Sequence, residues 1–292
     1  GYDVATRRAF ILVQSDRDRP YDTHLFGVNI DTGTFQQLSA DIGRRDVSFS
    51  PDYRYFIKTV MTPTQPSQVY LKAVDGSNAR LLSTARFDDP DLWQPPEEVR
   101  AMAADGETML EGLLYKPHDF DPSRSYPLLE YIYAGPQAVW TPKTFLDRGH
   151  TARALSKAGF LVLMMDGRGT PERDPTFSTF SQGRMGQVEI ADHVAFIEQL
   201  IESRPYVDDD RIGIFGTSFG GYYALRAMMD APHLYKAAVS SAPSILSKAH
   251  IFTPVEAYMG LPTDNPEGYS GTDLKPLVHR LEGPVLFLTG TS

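Results

Sequence analysis

The stretch "GIFGTSFGGYYAL" at residues 213–225 leaves the chain few choices of fold. Residues 212–215 form a short apolar run suited to a buried strand, and Tyr222, Tyr223, Ala224 and Leu225 suit a helix. Between them lies Gly216-Thr217-Ser218-Phe219-Gly220, so strand must become helix within five residues. A turn that sharp strains its central residue, and the positions two places either side must lack side chains. It would lift the Ser218 hydroxyl above the sheet, at a helix N-terminus that favours developing negative charge. The Phe219 N–H would point where an oxyanion forms. Gly221 would let the helix press closely on the strand. The plainer reading is a glycine turn with an incidental serine. The strand and helix on either side favour a nucleophile.

The surroundings fit a strand–helix alternation. Apolar strand-like runs recur at 110–115, 128–133, 160–165, 212–215, 237–239 and 285–288. Ile190, Val194, Ile197 and Ile201 fall at helical intervals over 190–202. Such alternation predicts a parallel-type sheet with helices on both faces, and with the serine turn an α/β-hydrolase fold. In that fold the loop after an earlier strand supplies a second oxyanion donor. Here "LLEYIYAGPQ" (128–137) ends its strand in Tyr133-Ala134-Gly135-Pro136, and the Tyr133 phenol could donate; a core tyrosine is the alternative. Asp166 and Arg168 of "MMDGRGT" (164–170) read as scaffold that shapes a loop.

Residues 1–92 read differently. "HLFGVNIDTGTFQQLS" (24–39) and "QVYLKAVDGSNARLLS" (68–83) are strand–turn–strand units whose turn aspartates, Asp31 and Asp75, stand 75 − 31 = 44 residues apart. "VSFSPDYRYFIKT" (47–59) is a further strand pair, with Tyr53 where such turns usually carry glycine. A period in the forties with about four strands per unit predicts β-propeller blades. Two blades would leave open sheet edges and little core, so the chain is expected to start inside its first domain. "FDDPDLWQPPEE" (88–99) reads as a linker, and 93–292 as the hydrolase domain.

Composition removes other classes. The net charge of −9 supplies no positive footprint for nucleic acid. Without cysteine there is no thiolate metal site and no cysteine nucleophile. The apolar runs are too short for a membrane span. No metal-ligand spacing is present, and the chemistry predicted for Ser218 needs no cofactor.

Together Tyr-Ala-Gly-Pro (133–136), Asp-Gly-Arg-Gly (166–169) and Gly-Thr-Ser-Phe-Gly-Gly-Tyr (216–222), in this order, resemble the prolyl oligopeptidase family of serine peptidases, in its dipeptidyl peptidase IV-like branch. "YKPHDFDPSRSYPLLEY" (115–131), "VSSAP" (239–243) and "YMGLP" (258–262) extend the likeness. The resemblance implies part of a β-propeller followed by an α/β-hydrolase domain that cleaves short peptides through an acyl-enzyme. Ser218 is then the nucleophile, and Tyr133 with the Phe219 amide the oxyanion hole. Phe219, Ser247 and His250 would line the substrate pocket, in a run (244–257) poorer in aromatics than the family's. Homodimerisation through the hydrolase lobe and a bacterial periplasmic or envelope location are also implied. The triad acid and histidine are expected beyond Ser292, after the strand at 285–288; the rival places Asp264 or Asp273 with His279. An oligopeptidase, an acylaminoacyl peptidase, an esterase or an inactive binding protein on the same scaffold are the alternatives.

Overall fold

The computed structural model describes residues 1–86, 94–145, 149–244 and 253–290. The chain divides into two compact units, Gly1–Pro95 with Pro142–Asp147, and Pro96–Thr141 with Arg148–Ser292.

The first unit holds two four-stranded antiparallel meanders. One is β1 (Tyr2–Asp3), β2 (Arg8–Val13), β3 (His24–Asn29) and β4 (Phe35–Gln37); the other is β5 (Arg44–Phe49), β6 (Tyr55–Met61), β7 (Gln68–Ala73) and β8 (Ala79–Thr84). In each, the last hairpin turns through a glycine at positive φ, Gly33 and Gly76, so the period read from Asp31 and Asp75 is one hairpin built twice. Phe10, Leu25, Phe56 and Val74 form the unit's core, with Val47, Phe49 and Tyr53 packed against it. Tyr53 adopts φ 51°, which a glycine would adopt without strain. Its ring stacks on Phe10 at 5.6 Å and meets Phe49 at 5.4 Å, and that packing offsets the backbone cost.

The second unit is built on one seven-stranded sheet. Its strands are β9 (Glu97–Met102), β10 (Met109–Tyr115), β11 (Tyr126–Tyr131), β12 (Leu161–Asp166), β13 (Val207–Thr217), β14 (Ala237–Ser241) and β15 (Val285–Leu288). Their spatial order is β15-β14-β13-β11-β12-β10-β9. Five neighbouring strands, β12, β11, β13, β14 and β15, run parallel. The other two pair antiparallel, so the sheet is mixed rather than parallel throughout. β9 also claims residues 97–99 of the stretch read as linker. Its "EEVRAM" turns Val99 and Ala101 inward and Glu98 and Arg100 outward, a pattern masked by the prolines before it.

All six residues of β12 are buried, as expected for a strand covered on both faces. After helices α1 (His150–Lys157) and α2 (Pro175–Ser178), helix α3 (Glu189–Ser203) turns Ile190, Phe196, Ile197 and Leu200 to the core. In helix α4 (Phe219–Asp230) every residue from Phe219 to Met229 is buried, so its two tyrosines need internal partners. Tyr222 donates to the Thr272 carbonyl at 2.8 Å, and Tyr223 to Glu189 at 2.7 Å. Among the described residues no helix is long and apolar enough to cross a membrane.

A buried polar triplet ties α3 and the loop after α4 to the central strand. His193 Nδ1 lies 2.5 Å from one oxygen of Glu130 on β11, and the Tyr235 phenol donates to the other at 2.7 Å. Burial disfavours a charged imidazole, but the Glu130 carboxylate bonded to it, together with the nearby Asp192 and Asp166, outweighs this and holds the His193 pKa above its ordinary value. The folded state therefore binds this proton more tightly than the unfolded chain. The stabilisation is complete below about pH 6.5, the unfolded histidine value, and is lost as pH rises through the folded one. As pH rises above about 6.5 the wild-type melting temperature should fall more steeply than that of His193→Gln. Equal slopes in the two proteins would contradict this.

Candidate active site

Ser218 stands between the end of β13 and the start of α4 with φ 61° and ψ −118°. A non-glycine residue held there costs roughly 1–3 kcal/mol and persists only when its surroundings fix it. Three backbone hydrogen bonds do so. The Ser218 N–H donates to the Ser241 carbonyl at the end of β14 (3.0 Å), and its own carbonyl accepts from the N–H groups of Ser244 (2.9 Å) and Tyr222 (3.2 Å). A serine opening a helix usually turns its hydroxyl onto the first-turn amides. At this φ the side chain makes no such cap, and the half-buried hydroxyl instead meets Ser244 Oγ at 3.0 Å.

The flanking glycines are forced by close approach. A Cβ on Gly220 would strike the Ile132 carbonyl just past β11. One on Gly216 would strike the Gly220 backbone and lie 2.6 Å from that same carbonyl. Gly221 faces the Ser241 carbonyl, so its missing side chain lets the helix approach the end of β14 rather than that of its own preceding strand.

Tyr133 follows Ile132 directly, so the contact that shapes the turn also brings the phenol beside it. Its ring meets that of Phe219 edge-on at 6.2 Å and stacks on Trp140 at 4.8 Å. The phenol oxygen accepts from Gln137 Nε2 at 2.8 Å. Asp166 secures this loop: its buried carboxylate accepts from the backbone N–H groups of Trp140 (2.6 Å) and Thr141 (3.0 Å). Arg168 is clamped on the buried Asp192 at 2.7 Å and on Asp105 at 2.5 Å. Both residues of the Asp-Gly-Arg-Gly motif are thus structural supports.

The structure brings Ser218, Tyr133 and Phe219 together. Ser247 and His250 lie outside the described residues. Among the described residues the hydrogen-bond partner of Ser218 Oγ is Ser244, and no imidazole bonds to it. His279 is exposed in a short 3-10 helix, while Asp264 bonds Thr263 and Asp273 bonds the Lys275 N–H. No hydrogen bond among the described residues joins either aspartate to His279. The carboxylates of Asp208, Asp209 and Asp210 cluster where β13 bulges against β11, and Asp208 is paired with Arg211 at 2.7 Å. Sequence reasoning missed Ser244, Trp140 and Gln137. Only Gln137 left a signal, standing four residues after Tyr133 across a Gly-Pro turn.

Gly220→Ala tests the elbow directly. Displacing the Ile132 carbonyl should destabilise the protein by about 1–3 kcal/mol in urea unfolding and disturb Ser218 with it. A variant of unchanged stability would show that the turn is not held by this approach.

This arrangement can be set beside known proteins. The prolyl oligopeptidase family model matches residues 147–292, and that of the dipeptidyl peptidase IV N-terminal region matches residues 2–67. Human dipeptidyl peptidase 8 is 30% identical over 275 residues, which are 90% of this chain and 30% of that protein. Dipeptidyl-aminopeptidase B of Aspergillus niger is 28% identical over 98% of this chain and 32% of its own length. The crystal structure of Porphyromonas gingivalis dipeptidyl peptidase 4 superposes with a TM-score of 0.82 at 27% identity, over 98% of this chain and 40% of that one. The chain therefore spans about a third of these curated relatives. Its sheets are those of propeller blades followed by an α/β-hydrolase domain, and the chain belongs to the prolyl oligopeptidase family.

Proposed function

We propose that this chain carries the nucleophile and oxyanion pocket of a serine peptidase that releases dipeptides from short peptides. The observation that carries the reading is Ser218 itself, strained at φ 61° with its hydroxyl turned away from the helix it opens. Strain of this kind persists where the surroundings impose it, and a half-buried alcohol beside two potential donors is what acyl transfer uses. Ser218 Oγ attacks the peptide carbonyl and passes its proton to an imidazole base. The Phe219 N–H and the Tyr133 phenol take the charge on the tetrahedral oxygen. The imidazolium hands that proton to the amine as it leaves, and water hydrolyses the acyl-enzyme. The named relatives are dipeptidyl peptidases and a dipeptidyl-aminopeptidase, which favours dipeptide release over the other hydrolase chemistries.

The test uses the full-length protein, a fluorophosphonate probe and chromogenic reporters. Wild type should label and should cleave a Gly-Pro reporter with a free amine. Ser218→Ala should do neither. Persisting label in Ser218→Ala removes Ser218 as nucleophile, and equal cleavage of an N-blocked reporter replaces dipeptide release with oligopeptidase or acylaminoacyl peptidase activity. Tyr133→Phe should lower kcat by about 10²–10³-fold with little change in KM, the loss typical of one oxyanion donor.

A further inference from the structure

A phenol can serve an oxyanion only if its single proton is offered in that direction, and the loop after β11 supplies a means of ensuring this. Ala134 takes φ 54°, reversing the chain directly after Tyr133. The Ala138 N–H closes the turn on the Gly135 carbonyl at 3.3 Å. The reversal returns Gln137 to the phenol it follows, with Nε2 2.8 Å from the phenol oxygen. A Cβ on Gly135 would lie 2.7 Å from Gln137 Oε1 and 2.9 Å from Tyr133 Cε1, so the turn has been kept clear for this contact. The ring itself cannot swing to suit another partner, because it is stacked on Trp140, which Asp166 anchors.

The polarity of the contact matters. An amide N–H can only donate, so the Tyr133 oxygen is the acceptor and its own proton points elsewhere. Accepting a hydrogen bond also polarises the phenol O–H and makes it a better donor. We infer that Gln137 is a positioning residue: it occupies a lone pair of the Tyr133 phenol, and so directs the phenolic proton toward the oxygen that becomes negative when Ser218 attacks. Gln137 does not touch the substrate; it acts through Tyr133. The inference rests on the reading of Tyr133 as an oxyanion donor. Because Gln137 is exposed, water can partly replace it, and its effect is smaller than that of the phenol.

A double-mutant cycle on the full-length protein tests this, with kcat and KM measured on the reporter that wild type cleaves. Gln137→Ala should lower kcat about 3–10-fold and leave KM within about twofold, since charge develops on the oxygen only after binding. In a Tyr133→Phe background the same substitution should change nothing further. Gln137→Glu should cost more than Gln137→Ala, because a carboxylate accepts the phenol proton and withdraws it from the substrate. Three results overturn the inference: an unchanged kcat in Gln137→Ala; a raised kcat, which would mean that the amide carbonyl sequesters the proton; or a full loss that persists when Tyr133 is phenylalanine. Failure of the underlying reading looks different, because Tyr133→Phe alone would then retain wild-type kcat. Matching melting temperatures among the variants separate any kcat effect from loss of fold.

Discussion

The Ile132 carbonyl lies where a side chain on Gly220 would have to be, and close to where one on Gly216 would be. From this one approach much of the site follows. It packs the end of β11 against the turn between β13 and α4. That turn can then contain only glycine at both flanks, and its central residue must take a left-handed backbone conformation. Because Tyr133 is the next residue along, the strand end that presses on the serine turn also delivers a phenol to its side. Ser218 and the Tyr133 phenol are positioned by one backbone contact, not by two independent loops.

Around this contact the site is braced from several directions. The end of β14 holds the Ser218 N–H, the Ser244 N–H holds its carbonyl, and Ser244 Oγ engages its hydroxyl. On the other side Asp166 fixes Trp140, Trp140 fixes the plane of Tyr133, and Gln137 bonds the phenol oxygen. Beneath lies the buried set of Glu130, His193 and Tyr235, which spends polar groups on joining α3 and the chain after α4 to β11. Rigid elements thus impose a conformation on Ser218 that it would not adopt alone.

What could be read from the residues alone divides along physical lines. The serine turn was legible because its constraints are local: glycine at 216 and 220 answers a clash within the motif and its nearest strand. The runs at 128–133, 160–165 and 212–215 were legible because central parallel strands need continuous apolar residues. β9 was not, since an edge strand can be half charged, and Pro95 and Pro96 made its start look like linker. The parts of the site that escaped depend on the return path of a loop. Trp140 and Gln137 matter because Ala134 reverses the chain, and nothing in the identity of an alanine announces a positive φ. Ser244 was missed for a similar reason: its contact with Ser218 follows from the turn at Ala242, whose φ is 40°.

A crystal structure of the full-length protein after reaction with a phosphonate inhibitor would show most directly whether Ser218 attacks between these two donors. Phosphorus should be bonded to Ser218 Oγ, with one non-bridging oxygen within hydrogen-bonding distance of both the Phe219 N–H and the Tyr133 phenol. An adduct on another residue, or a phosphonyl oxygen turned to solvent away from both donors, would contradict it.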